Sequence, residues 1–466
     1  MTKCSETCFA FQPLGPRTVS ARFDGGYVTS DGGALLLGDV ERRTGILRRL
    51  AACFTDHRAP ERIEYTVEEL LKQRVYALAL GYADLNDHDQ LRRDPLLAVL
   101  VGKADPTGQE RRRLRDRGTA LAGKSTLNRL ELRLPQATPK ETRYKKILID
   151  PEAVDRVLLE LFVEAQAKPP SALVLDLDAP DDPVHGHQEE RFFHGYDGHS
   201  CDVPLYIFAG EFLLCARLRP ANRDASAGAL EEVQRIVDHL RTQWPAVQIT
   251  LRADAGFCRE PLMAWCEEHG LDYVLGLAKN ARLLTAVQGA LAQAQAQFAQ
   301  TGQPARVFTE FHYRTRESWT RERRVIAKAE HLEKGANPRF VVTSLPAAQW
   351  AAQTMYEKLY CARGDMENRI KEQQLDLFAD RTSTAKLWAN QIRLYFSSFA
   401  YVLLPTLRRL GLRGTEMARA QCGTIRLHLL KIGAVLTISV RRIRVALASG
   451  YPYAALFQQV YTQLRC

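Results

Sequence analysis

From about residue 31 to 165, apolar residues recur every three or four positions, the repeat of helices that bury one face. Segments 67–80, 90–101, 124–132 and 153–167 carry this repeat most clearly. Residues 1–30 are turn-rich and read as extended, and Asp31, just ahead of Gly-Gly-Ala-Leu-Leu-Leu, is placed to cap the first helix. At Pro169-Pro170 the pattern changes. Apolar runs at 171–178, 203–209, 212–219, 247–254 and 272–277 predict strands, the second and third forming a hairpin around Gly210-Glu211. Helices are predicted at 225–243 and 260–269. Segments 307–313, 324–330 and 339–345 are strand-like again, the first alternating with period two. Residues 355–377 read as one long helix and 385–450 as mostly helical, with basic punctuation at Arg408-Arg409 and at Arg441, Arg442 and Arg444. No internal repeat is present.

The pattern divides the chain into a helical N-terminal region at 1–168, the first part of a strand-and-helix core at 169–280, a β-rich insertion at 281–350, and a helix at 351–385 that completes the core. A helical C-terminal region at 386–466 remains. A length of 466 residues fits several domains rather than one core. Hydrophobic residues at 46% and charged residues at 25% describe a globular chain. The 64 Lys and Arg exceed the 54 Asp and Glu, a surplus that suits a polyanionic partner. The ten cysteines are scattered without paired C-x2-C spacing, as for free thiols in a reducing cytosol. No signal peptide and no membrane span are predicted; the most apolar stretch, 396–407, contains Pro405 and two serines.

Three local patterns have competing readings. The basic cluster around Arg111, Arg112 and Arg113 is either a DNA-binding surface or a solvated charged face. Gly118 to Ser125 spells the phosphate-loop pattern G-x-x-x-x-G-K-S, but no apolar strand precedes it, so an ATP site is not expected. Lys124 instead opens a helix, with Ser125 or Thr126 as cap and Arg129 facing out, suited to a DNA groove. His185, His187, His194, His199 and Cys201 crowd one loop; their spacing is irregular for zinc, and a polar loop facing DNA explains them equally well.

Two strands end in acids, Asp178 and Asp254. The order strand, strand, strand, helix, strand, helix, strand resembles the ribonuclease-H-like core, an α/β fold that sets the first and fourth strands side by side. Phosphodiester chemistry by two magnesium ions about 3.5–4 Å apart needs a few carboxylates from separate elements. The third carboxylate is sought on the 355–377 helix, where Tyr360-x2-Arg363-x3-Glu367 places its residues on one face with Lys371 and Gln374. Asp176 competes with Asp178, since both point to one side of the strand; Asp178 is favoured because metal sites gather at strand ends. Asp181 and Asp182 read as loop or cap residues, Asp365 and Glu372 as surface charges, and Arg219, Arg252 and Lys279 as possible phosphate contacts.

The Tyr360-Arg363-Glu367 spacing resembles the Y-R-E-K signature of insertion-sequence DDE transposases, with Gln374 at the signature's lysine position and Lys371 as a substitute. The wider text resembles the 1380-type group of that family. Matching stretches begin at Ser30, Gly81, Leu175, Arg252, Gly276 and Arg363. The resemblance implies that Asp178, Asp254 and Glu367 bind two Mg2+ ions, for which Mn2+ substitutes. Tyr360, Arg363 and Lys371 would hold DNA. It further implies cleavage of terminal inverted repeats, joining to target DNA, a homodimer using the C-terminal helices, and a bacterial, nucleoid-associated setting in the cytoplasm. A plain metal-dependent nuclease shares the acids without needing the long flanks. A catalytically inactive DNA-binding descendant predicts a broken triad, and here all three acids are present.

Overall fold

The computed structural model describes residues 8–132, 146–184, 192–194 and 199–465. They fall into two compact units: residues 1–149, 376–378 and 399–466 in one, and 150–375 and 379–398 in the other.

The second unit is built on one large mixed sheet. Its main strands are β1 (Ala172–Asp178), β2 (Leu205–Ala209), β3 (Phe212–Arg217), β4 (Gln248–Ala253), β5 (Asp272–Leu277), β6 (Ala305–Tyr313), β7 (Arg323–Leu332) and β8 (Arg339–Thr343), with the short Gly335–Ala336 paired to β7. They lie side by side in the order β3-β2-β1-β4-β5-β8-β7-β6. β1, β4 and β5 run parallel; the remaining pairings are antiparallel. The parallel strands are apolar along most of their length, as strands covered on both faces must be. Helices α1 (Pro151–Glu164), α2 (Ala229–Gln243) and α3 (Glu260–Glu268) bury Leu159, Phe162, Val233, Ile236, Leu240, Leu262 and Met263 in a core shared with Leu175, Leu177, Ile249 and Leu251.

Segment 281–350 departs from expectation in two ways. It begins with helices Ala281–Ala286 and Gln288–Thr301. The Ala- and Gln-rich composition of the second explains it, since these residues cost little in a helix. Its strands then join the core sheet, β8 pairing with β5, rather than forming a separate layer. The helical run expected at 355–377 extends over Ala352–Asp376, but π turns occupy Met355–Tyr360 and Glu372–Asp376.

In the first unit, helix Val67–Ala79 starts at a capping box in which Thr66 and Glu69 satisfy each other's backbone N–H groups. The helix expected at 90–101 is broken: Pro95 forces a restart, Asp94 caps it, and the pieces are His88–Leu91 and Pro95–Val101. Asp31 does not cap. It is buried, pairs with Lys431 at 2.6 Å and accepts from the Tyr82 hydroxyl at 2.8 Å, while helix Leu35–Thr44 follows a short 3-10 turn. Neither Ser125 nor Thr126 caps helix Lys124–Glu131; Gly123 holds that position.

The C-terminal region is not wholly helical. After helix Leu387–Gly411 comes a hairpin of Ala434–Ile438 and Ile443–Leu447, and the chain closes with helix Ala454–Arg465. β-branched residues and an in–out alternation at Ala434, Val435, Leu436 and Thr437 account for the strand. Among the described residues no helix is long and apolar enough to cross a membrane.

Candidate active site

Asp178 is the last residue of β1, and Asp254 directly follows β4. The parallel register pairs Ala253 with Leu177, so both acids emerge at the same edge of the sheet. Each carboxylate is oriented by the chain just beyond it. Asp178 accepts the Ala179 N–H at 3.0 Å, and Asp254 caps the turn Ala255–Phe257 by accepting the Gly256 N–H at 2.9 Å. On the next strand, Gly276 leaves a gap that these groups use. A Cβ there would stand 2.7 Å from the Tyr360 hydroxyl oxygen and 2.8 Å from the Ala255 nitrogen.

The helical segment brings the other members. Arg363 reaches Asp178 at 3.3 Å with one amino group and Glu367 with the other. Its guanidinium therefore stands between the two carboxylates. Burial pushes Asp178 up to about 6, Arg363 opposes that rise, and the negative charges of Asp254 and Glu367 add to it. Burial likewise raises the Tyr360 phenol, with Arg363 opposing and Asp254 adding. The four groups thus share one field. Among the described residues no three His, Cys, Asp or Glu side chains are gathered closely enough to hold an ion. Asp178 and Glu367 share the Arg363 cation, and carboxylate oxygens are the donors that a hard divalent cation takes.

Asp176 feels the Arg363 charge too, but a different arginine holds it. It is buried on β1, and Arg252, its register partner on β4, grips both its oxygens, one at 2.7 Å. The same arginine donates to the Leu359 carbonyl at 2.5 Å. This clamp ties both acid-bearing strands to the residue before Tyr360. It was missed in the sequence, although the signal exists: Asp176-x-Asp178 and Arg252-x-Asp254 set both inner residues on the face of the outer acids. Arg252 is accordingly unavailable to phosphate. So is Arg219, buried and donating to the carbonyls of Val203, Ala225 and Ala227.

Beyond Glu367, Lys371 is exposed and Gln374 donates to the Asp181 carbonyl at 3.3 Å, tying the helical segment to the loop after β1. Glu372, expected at the surface, is buried against Arg369 at 2.5 Å. Asp182, expected in a loop, is 1% exposed in the short strand Asp182–Pro183. Lys279 is exposed, and Asn280 caps the following helix.

The N-terminal candidates belong to the other unit. Arg111 pairs with Glu64 at 2.7 Å, donates to the Thr119 carbonyl at 2.7 Å and lies over the Tyr65 ring, so its charge is committed internally. Arg112, Arg113 and Arg129 are exposed. Lys124 is exposed too, paired with Asp89 at 3.1 Å. The turn Leu114–Asp116 ahead of the phosphate-loop text confirms that no strand leads into it. Of the zinc candidates, His185 and His187 lie outside the described residues. His194 and His199 are paired across a short sheet, and Cys201 is buried.

The family model described as "Transposase DDE domain group 1" matches residues 11–466. No curated protein matches the chain. Among solved structures, a cryo-EM structure of piggyBac transposase in a synaptic complex with hairpin DNA is similar, with 11% identity, a TM-score of 0.41, and coverage of 94% of this chain and 82% of that one.

Proposed function

Because the chain belongs to the family of transposase DDE domains, group 1, we propose that it is an active 1380-type insertion-sequence transposase that cuts and joins DNA at Asp178, Asp254 and Glu367. The observation that carries the reading is the convergence of two acids from adjacent parallel strands with Arg363, which joins Asp178 to Glu367. The order β3-β2-β1-β4-β5, with β1 and β4 adjacent, supports a ribonuclease-H-like core. In this reading the three acids hold two divalent ions, Mg2+ or Mn2+, which when bound supply an activated attacking water and a stabilised leaving oxygen. Asp178 and Asp254 are held by their own backbone contacts and need little reorganisation. Arg363, released from the acids by the incoming positive charge, is free to take a DNA phosphate, for which its forked donors suit it. Tyr360, whose hydroxyl lies close over Gly276, shares the DNA backbone. Lys371, exposed one turn after Glu367, takes the role of the signature lysine, while Gln374 is occupied by Asp181. Arg112, Arg113, Lys124 and Arg129 are further DNA contacts in the other unit. Two element ends must be brought together, which calls for a homodimer.

The test is cleavage of a labelled duplex carrying the element's terminal repeat, with Mg2+ or Mn2+, by wild type, Asp254→Asn and Glu367→Gln. Metal-dependent cuts at the repeat boundary that vanish in both variants are expected. Binding without cutting by wild type would leave a non-enzymatic descendant, and undiminished cutting by the variants would place the active site elsewhere.

A further inference from the structure

The basic stretch Arg441, Arg442 and Arg444 is not on a helix; it forms the end of the hairpin Ala434–Ile438/Ile443–Leu447. Ala434 is paired with both Leu447 and Thr29, so the hairpin is rooted in a three-stranded sheet with Tyr27–Thr29. The inner face is anchored: Ala434 and Leu436 are buried, and the Ala448 N–H donates to the Gly433 carbonyl at 2.9 Å. The outer end is free of the core. Val440 is fully exposed, and Ser439, Arg441, Arg442, Ile443 and Arg444 are exposed with it.

The tip is nevertheless stiff. The Ser439 N–H donates to the Arg442 carbonyl at 2.9 Å, and the Ser439 hydroxyl donates to the same oxygen at 3.0 Å. The Arg442 N–H in turn reaches the Ser439 hydroxyl oxygen at 3.2 Å. The strand register ends at Ile438 and Ile443, and backbone hydrogen bonds between Ser439 and Arg442 close the turn around Val440 and Arg441. Five residue steps from Ala434 to Ser439 project the tip about 16 Å from its root at roughly 3.3 Å per residue.

The C-terminal sequence is basic: residues 412–466 contain eight Lys and Arg (413, 419, 426, 431, 441, 442, 444 and 465) and a single acid, Glu416, with Lys431 and Arg465 paired to Asp31 and Asp39 from elsewhere in the chain. The arginines of the tip make no side-chain ion pair or hydrogen bond among the described residues, in contrast to Arg111, Arg252 and Arg363. Long cationic side chains left unpaired on a braced ribbon suit a polyanion of regular shape. A two-stranded ribbon fits the major groove of duplex DNA, about 12 Å wide and 8.5 Å deep, with the arginines of its turn and second strand reaching phosphates.

We infer that this hairpin is a DNA-gripping finger: it enters a groove of duplex DNA with Val440 leading, and Arg441, Arg442 and Arg444 bind the flanking phosphates. The inference rests on the transposase reading for its ligand but on none of that reading's catalytic residues.

The experiment is binding of the full chain to a fluorescein-labelled random-sequence duplex, followed by anisotropy over a range of salt concentrations. The variants are Arg441→Ala, Arg442→Ala and Arg444→Ala together, Val440→Asp alone, and a charge-matched control of Arg314→Ala, Arg316→Ala and Lys334→Ala. The tip triple should weaken binding roughly tenfold or more and lower the slope of log K against log salt by about 2 to 3, close to 0.9 per lost phosphate contact. Val440→Asp should weaken binding without removing an arginine. Unchanged affinity and slope in the tip triple, with wild type binding, overturns the finger and leaves the transposase reading standing. Equal loss in the control overturns it too, because net charge alone then explains the effect. A triple that loses anionic lipid vesicles but keeps the duplex assigns the finger to a membrane and likewise overturns it. A wild-type chain that holds no duplex overturns both the finger and the transposase reading.

Discussion

Two aspartates two residues apart on β1 meet different surroundings, and the difference is physical. Asp178 ends the strand, meets Arg363 at its edge and is pushed up to about 6 by burial and neighbouring acids. Asp176 is sealed against Arg252. Breaking a buried pair by removing one partner costs about 3–5 kcal/mol, because the other charge stays behind. Asp176→Asn should therefore lower the melting temperature markedly, whereas Asp178→Asn should abolish cleavage and leave stability unchanged or higher. Melts and cleavage assays of both variants decide this; equal thermal losses would mean the clamp contributes nothing special. Gly276 offers a second residue-scale test. Adding a methyl group collides with the Tyr360 hydroxyl and with the Ala255 backbone nitrogen. Gly276→Ala should cut cleavage by about tenfold or more, on the scale of a 1 Å misplacement. Adding Tyr360→Phe should not restore it, since the backbone clash persists. Restoration would show that only the hydroxyl was in the way.

At the scale of elements, periodicity served well where one residue pattern met one environment. Helix Val67–Ala79 and strands β1, β4 and β5 fall close to their expected bounds because a capping box or an apolar run marks them. It failed where tertiary pairing decided. The C-terminal hairpin is short and half-exposed, so its alternation covers only a few residues, and the strands of 305–343 look autonomous until β8 docks on β5. Asp178 and Asp254 stand out as candidates because strand ends are local signals, and Glu367 because of its helical spacing from Tyr360 and Arg363. The Asp176–Arg252–Leu359 clamp depends on register between distant strands and does not stand out. The short sheet after β1 hides another long-range effect. Burial lifts the Asp182 carboxyl to about 8, with Asp202 and Asp380 adding to it. An acid raised in the folded state is neutral there, so the stability it lends is present in acid. That stability is lost as pH climbs from about 4 through about 8, with a slope of up to about 1.4 kcal/mol per pH unit. Wild-type melting temperature should fall across that window, and Asp182→Asn should flatten the fall. An unchanged slope in the variant would assign the loss to other groups.

At the scale of the whole molecule, the two units carry different burdens. The acids, their arginine and the sheet that aims them belong to the second unit, while the finger and the exposed N-terminal arginines belong to the first. A divalent ion binding the folded site alone stabilises by mass action, about 2.7 kcal/mol at a hundredfold excess over its Kd. That gain should be confined to the unit that holds the ion. Hydrogen exchange with Mn2+ should protect peptides spanning 172–180, 250–257 and 360–371 and leave 67–79 unchanged, and Glu367→Gln should erase the protection. The ion should also pull the Asp178 proton off, because a cation favours the carboxylate that burial disfavours. Protection spread evenly over both units would point to nonspecific ion binding along the surface. Protection that survives Glu367→Gln would remove that residue from the metal site while leaving the strand-end aspartates in place.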